Sequence, residues 1–214
     1  MTRVYLELLD PEKKETFLKL KPLTTIGGVL AEGTAIFLQI KGRRSFDFDI
    51  FFNKQRIKKA FKIANEILEI KKKIIDIPGH IAFLTKQNVQ VTLFHYEFLP
   101  LYPLVKTSSL PLFNIRDLAA DKAYTIGYRP AWRDYVDIFF LLKGNYVTLG
   151  EIINDAQRKF KAYFASRLFL NQLTYYGDIT DFKVEFIGKK YSPEEVQDFL
   201  RKEVKKFKGL KLEA

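Results

Sequence analysis

The run Phe46-Asp47-Phe48-Asp49-Ile50-Phe51-Phe52 constrains the fold more than any other stretch of this chain. Its β-branched and aromatic residues read as a buried strand. Side chains alternate along a strand, so Asp47 and Asp49 share one face while Phe46, Phe48 and Ile50 take the other. Two carboxylates side by side on an apolar strand repel each other, and burying them without a partner is strongly unfavourable. A divalent cation is the simplest partner, and Mg²⁺ takes one or two carboxylates together with phosphate oxygens. As an isolated tripeptide the same pattern also fits an edge strand with two outward carboxylates.

The residues ahead of this strand add to the constraint. Glu32-Gly33-Thr34-Ala35-Ile36 holds a Gly-Thr turn that can bring backbone N–H groups and a hydroxyl close to a phosphate, with a helix N-terminus following. A basic loop, Gly42-Arg43-Arg44-Ser45, leads into the strand, and its two guanidinium groups suit phosphate oxygens.

Taken in order, Asp10-Pro11 opens a helix reaching about Leu20, and Ile26–Ala31 reads as a short strand before the Gly33-Thr34 turn. Thr34–Ile40 is a helical turn or two ended at Gly42. After the carboxylate strand a long amphipathic helix carries the apolar stripe Ile57, Ala60, Phe61, Ala64, Ile67 and Leu68. Arg56, Lys58, Lys59, Lys62 and Lys71-Lys72-Lys73 lie off that stripe, as a solvated face or a nucleic-acid track. His80–Lys86 and Val89–Glu97 form a hairpin across Gln87-Asn88. Repeated prolines at 100, 103 and 111 mark an extended linker, which places a domain boundary near Asn114. The second half is mainly helical. Asp117 is a plausible N-cap, Thr148-Leu-Gly-Glu151 is a capping box, Leu168–Tyr176 reads as another helix, and Ser192-Pro193-Glu194-Glu195 opens the last one. The basic tail Lys202, Lys205, Lys206, Lys208 and Lys211 follows, suited equally to the helix macrodipole and to RNA.

Within the helical half, Ala119, Lys122, Ala123 and Ile126 share one stripe, so Lys122 lies where a helix is normally apolar. It either snorkels to the surface or is held toward nucleotide phosphates. Downstream, Arg133 and Asp137 form an i,i+4 pair, and Asp134 and Asp137 an i,i+3 pair.

Two ordered motifs carry a resemblance. Gly-Thr, roughly a dozen residues, then apolar-Asp-apolar-Asp-apolar resembles the signature of the DNA polymerase β-like nucleotidyltransferase superfamily. The fuller string, with Asp-Leu-Ala-Ala-Asp-Lys … Arg-Asp-Tyr-Val-Asp behind it, resembles the AbiEii/AbiGii-type toxin family, which includes the MenT-type toxins. The family's usual Gly-Gly-Thr-Ala-Leu has Glu32 in place of its first Gly here. The resemblance covers about residues 25–142. It implies an α+β fold: a polymerase β-like domain over 1–113, a small mixed sheet with helices, then a helical domain over 114–214 that closes the cleft.

The resemblance also implies Mg²⁺-dependent transfer of a nucleoside monophosphate from an NTP to an acceptor. Asp47 and Asp49 would hold Mg²⁺ or Mn²⁺. Gly33, Thr34, Ser45, Arg43 and Arg44 would contact phosphates, Lys122 would offset their charge, and Asp134, or Asp137, would complete the site. The superfamily often places a third carboxylate on the neighbouring strand, but Asn88–His95 offers only Gln90 and Thr92 on one face, leaving Asp76 and Glu97 as candidates. The implied partners are a tRNA acceptor and a winged-helix antitoxin. The rival readings are a catalytically weak nucleotide- or RNA-binding module and a protein-nucleotidylating enzyme.

The formal net charge of +11, from 36 Lys+Arg against 25 Asp+Glu, suits a polyanionic partner and equally a Lys-rich solvated surface. With no Cys, thiolate chemistry and disulfides are excluded, and having His80 and His95 alone argues against a His-based zinc cluster. No apolar run is long enough to span a bilayer, and the N-terminus has no signal-peptide character, so a cytoplasmic protein without membrane attachment is expected.

Overall fold

The computed structural model describes residues 3–212, with side chains through Phe207. Lys208 and Lys211 of the basic tail therefore have side chains outside the described residues. Contacts divide the chain into two compact units: residues 1–39 with 45–114, and residues 40–44 with 115–214. The division is thus not a single cut near Asn114, because the short loop ahead of the carboxylate strand belongs with the helical half.

The first unit is a five-stranded mixed sheet with helices. Helix α1 (Pro11–Lys19) has proline at its first position and is followed by a 3₁₀ segment to Ile26. Strand β1 (Val29–Leu30) leads into helix α2 (Glu32–Ile40), and strand β2 (Phe48–Phe52) carries Asp49. Helix α3 (Ile57–Ile67) buries Ile57, Ala60 and Ala64. Strands β3 (Ile70–Ile77), β4 (His80–Thr85) and β5 (Gln90–His95) complete the sheet, in the order β1-β2-β5-β4-β3. Within the sheet β2 and β5 pair in parallel and the other neighbouring strands antiparallel. The mixed sheet and its flanking helices meet the α+β expectation.

Three local differences from the sequence reading have physical causes. Strand β2 begins at Phe48, and Phe46 is exposed beside Lys13, whose ammonium lies 5.0 Å from its ring centroid. Helix α3 ends at Ile67, and the lysine-rich segment behind it is strand β3, which the helical reading does not contain. Two register irregularities interrupt the pairing of β3 with β4, and its side chains are mostly exposed, so no clean period-2 pattern is present. Pro78-Gly79 turns β3 into β4, with Gly79 at φ +80°, a conformation that favours glycine.

The second unit consists of helices α4 (Ile115–Tyr128), α5 (Trp132–Lys143), α6 (Leu149–Phe160), α7 (Ser166–Gln172) and α8 (Pro193–Leu212). Helix α4 lies against α5, α6 and α7, and α8 against α5 and α6. The Thr148/Glu151 capping box forms with both reciprocal bonds. Ser192 and Glu195 form the same pair at the start of α8. Helix α4 begins three residues earlier than the N-cap reading of Asp117 requires, so Asp117 lies buried in its first turn.

Candidate active site

The first unit holds Asp47, Asp49, Gly33, Thr34 and Ser45. Asp49 lies within β2 and Asp47 one residue ahead of it; both are half-buried, while Phe48 and Ile50 on the other face are buried. Two residues of strand separate the carboxylates by roughly 6–7 Å along the chain, so their oxygens can converge on one ion. Gly33 and Thr34 fall in the first turn of α2. The Thr34 hydroxyl donates to the Asp47 carbonyl and lies 2.9 Å from Ser45 Oγ. The Ala31 N–H donates to the Asp49 carbonyl at 2.9 Å. The helix start and the carboxylate segment are therefore tied together by backbone at both aspartates.

Glu32 sits at φ 56°, in the left-handed region. This is the position at which the family signature has glycine, so the chain keeps the tight turn and accepts the strain of a side chain there.

In the parallel register Asp49 pairs with Thr92 of β5. The neighbouring strand thus offers a hydroxyl at the place where a third carboxylate would stand. Asp76 lies on β3, three strands away from β2, or roughly 14 Å at the usual interstrand spacing. It forms an ion pair with Lys73 at 2.7 Å. Glu97 lies two residues beyond His95, which pairs with Phe52, and so falls well past Asp49. Neither candidate supplies a third ligand. Among the described residues no group of three or more His, Cys, Asp or Glu is placed to hold a metal.

The second unit holds Arg43, Arg44, Lys122, Asp134 and Asp137. Lys122 is 3% exposed and Asp134 0%. The Lys122 ammonium donates to Asp134 Oδ1 at 2.7 Å and lies 3.6 Å from Asp137 Oδ2. Snorkelling, the ordinary fate of an inward lysine, is thereby replaced by a buried ion pair. Asp137 is gripped by Arg43 through two bonds, Nε to Oδ1 at 2.7 Å and Nη2 to Oδ2 at 2.6 Å. The i,i+4 partner expected for Asp137, Arg133, is instead exposed. Burial pushes the Asp137 carboxyl above its ordinary range, and the Arg43 and Lys122 charges oppose that push. Asp134 Oδ2 is buried with no hydrogen-bond partner among the described residues.

The loop carrying Arg43 is fixed by its own backbone. Arg44 N–H donates to the Glu185 carbonyl at 2.8 Å, and Ile187 N–H to the Gly42 carbonyl at 3.1 Å. Arg44 also pairs with the Glu185 carboxylate at 2.8 Å. Phe140 lies over Gly42 so closely that a Cβ there would come within 2.4 Å of its ring.

A second buried cluster went unread in the sequence. Lys159 of α6 lies 2.7 Å from Asp121 and 3.2 Å from Asp117 on α4. Arg116 bonds Asp155 at 2.7 Å and Glu151 at 2.9 Å. The signal was available: Lys159 falls on the same helical stripe as Ile152, Ala156 and Phe160, as Lys122 does on its own helix.

Comparison with known proteins gives a concordant picture. The family model described as nucleotidyl transferase AbiEii toxin, type IV TA system, matches residues 33–210. An uncharacterized protein of Aquifex aeolicus is 26% identical over 182 residues, covering 83% of this chain and 86% of that protein. Among solved structures, the fold is similar to MenT4, a nucleotidyltransferase toxin of Mycobacterium tuberculosis, with a TM-score of 0.58 and 12% identity over 91% of this chain and 84% of that one. It is also similar to JHP933 of Helicobacter pylori, with a TM-score of 0.52 and 13% identity over 96% and 97% of the two chains. Among the described residues no helix is long and apolar enough to cross a membrane.

Proposed function

Because the chain belongs to the AbiEii family of nucleotidyl transferase toxins, and is therefore a nucleotidyltransferase, we propose that it transfers a nucleoside monophosphate from an NTP to an RNA hydroxyl, with tRNA the favoured acceptor. The observation that carries the reading is the half-buried Asp47/Asp49 pair with Thr34 and Ser45 beside it, inside the span of the family match.

The donor set of this pair fits a hard divalent cation: two carboxylates on one strand face, with oxygen ligands only. Asp47 and Asp49 would hold Mg²⁺ or Mn²⁺, which when bound neutralises phosphate charge and polarises the reacting phosphorus. Gly33, Thr34 and Ser45 would position phosphate oxygens, and Lys122, Arg43 and Arg44 are the cations that the second unit would contribute against phosphate charge. The acceptor oxygen bonds to the α-phosphorus, the bond from that phosphorus to the bridging oxygen breaks, and pyrophosphate leaves. The hydroxyl proton passes to a carboxylate. Asp134 suits this role better than Asp137, because both Asp137 oxygens are engaged by Arg43 while Asp134 Oδ2 has no donor among the described residues. Catalysis would come chiefly from positioning and charge stabilisation. The biological setting would be a toxin–antitoxin pair with a separate winged-helix antitoxin.

The test is transfer of α-labelled NTPs, one base at a time, onto total RNA and onto cell protein with Mg²⁺, alongside Asp47→Ala. Label in RNA that the variant loses supports the proposal and names the base. Label in protein instead moves it to protein nucleotidylation. A second reading, a nucleotide-binding module with weak turnover, is favoured by Thr92 standing beside Asp49. It predicts an Mg²⁺-dependent thermal shift by NTP without label in either acceptor.

A further inference from the structure

A cavity of about 600 Å³ opens in the first unit where α3 begins, lined by Arg56, Lys58, Lys59 and His95 with the Pro78-Gly79 turn. Lys58 and Lys59 are exposed and Arg56 is half-buried. None of the three cations meets a carboxylate among the described residues, and the lining contains no acidic side chain. Three unpaired cations around one concavity repel each other, and an anion relieves that repulsion.

The cations continue beyond the cavity. Lys62 is one helical turn past Lys58 and Lys59 on the exposed side of α3. Lys73 of β3 lies against the same helix, its ammonium 4.5 Å from the Phe61 ring centroid, but its charge is already met by Asp76 at 2.7 Å, so the track rests on the lysines of α3. Between residues 54 and 73 the sequence has eight Lys or Arg and two Glu, a surplus of six that is more than half of the net +11. A single phosphate would use the cavity alone. A polynucleotide, with a charge at every step, would use the cavity and the track along α3, which is roughly 16 Å long.

The cavity is separate from the carboxylate pair. His95 pairs with Phe52 at the end of β2, three residues past Asp49, or roughly 10 Å along the strand. That is about three base steps of a nucleic-acid strand.

We propose that this cavity and the α3 track bind the phosphodiester backbone of RNA, as a docking site distinct from the nucleotide site. The inference leans on the transfer reading only in choosing RNA as the polynucleotide. The experiment measures binding of a labelled 20-nucleotide single-stranded RNA by anisotropy over a series of salt concentrations, without NTP or Mg²⁺. It compares the wild-type full chain, Arg56→Ala/Lys58→Ala/Lys59→Ala, and a charge-matched control, Lys202→Ala/Lys205→Ala/Lys206→Ala on α8. Loss of three phosphate contacts lowers the slope of log K against log salt by about 2 in the cavity variant, and the affinity at low salt falls at least tenfold, while the control stays near wild type. Lys58→Glu alone gives a smaller drop in the same direction, which keeps the test open should the triple variant fold poorly.

Equal losses in cavity and control variants overturn the proposal, since charge alone would then explain binding. Unchanged binding in the cavity variant also overturns it, as does cavity-dependent binding to phosphatidylserine vesicles without binding to RNA. RNA binding lost in the cavity variant while no label enters RNA in the transfer assay upholds the docking site and removes the acceptor reading. Label entering RNA while the cavity variant binds RNA normally does the reverse.

Discussion

Lys122→Met tests the buried ion network directly. The substitution keeps the aliphatic stem and removes the ammonium, leaving Asp134 and Asp137 buried with Arg43 as the remaining cation of the group. Breaking a buried pair by deleting one partner destabilises by about 3–5 kcal/mol. For a chain of this size that corresponds to a fall of roughly 6–20 °C in the transition that contains the helical unit. Adding Asp134→Leu removes the stranded charge, and the double variant recovers most of the loss, giving a coupling energy above about 2 kcal/mol in a double-mutant cycle. Differential scanning calorimetry at several pH values supplies the readout.

The pH arm carries its own sign. Burial already raises the Asp137 carboxyl, and Lys122 is one of the charges opposing that rise. Without it the native variant takes up protons at pH values above about 4, where the unfolded carboxylates have released theirs. A native state that binds more protons than the unfolded state loses stability as pH rises. The deficit of Lys122→Met is therefore smaller at pH 5 than at pH 8. A loss below about 1 kcal/mol, a pH-independent deficit, or a double variant no better than the single one would refute the argument.

Gly42→Ala drives a Cβ into the Phe140 ring and lowers stability by about 1–3 kcal/mol, measured by thermal melting. Glu32→Gly relieves a side chain at φ 56° and raises the melting temperature by a few degrees, with the Mg²⁺-dependent NTP shift retained; a fall would show that the Glu32 side chain contributes more than its strain costs. Thr92→Asp places a third carboxylate in register with Asp49, so it lowers the melting temperature without metal and responds more strongly than wild type to millimolar Mg²⁺ or Mn²⁺. A response equal to wild type would argue against a metal at the Asp47/Asp49 pair.

Local signals were legible wherever a short segment decides its own conformation. Both capping boxes, the proline-started helices and the alternation of β2 follow from residues within a few positions of one another. The inward placement of Lys122 was also legible from its helical stripe, because periodicity alone assigns the face. Its partner, Asp134, stands on the next helix twelve residues on, and the stripe alone does not name it. The Arg43–Asp137 pair was not legible, since 94 residues separate its members and a nearer arginine at 133 offered a simpler i,i+4 partner. Strand β3 was missed for another reason. It is an edge strand with mostly exposed side chains and two register breaks, so neither burial nor alternation leaves its mark on the sequence.

The Asp-Leu-Ala-Ala-Asp-Lys motif reads differently once its neighbours are known. Asp117 and Asp121 stand one turn apart on α4 and both reach Lys159 of α6. Lys122 follows Asp121 by a single residue, about 100° around the helix, and reaches Asp134 and Asp137 of α5. Ala119, Ala120 and Ala123 between them are fully buried and small enough to let the flanking helices approach. The motif thus fixes the rotation of α4 from two sides, by anions toward one neighbour and by a cation toward the other. A rotation that moved Lys122 away from Asp134 would also pull Asp117 and Asp121 off Lys159, leaving two groups of buried charges uncompensated at once. The orientation of Lys122 is therefore set from the far side of its own helix: Asp117 and Asp121 hold α4 in the rotation that aims the ammonium at Asp134 and Asp137.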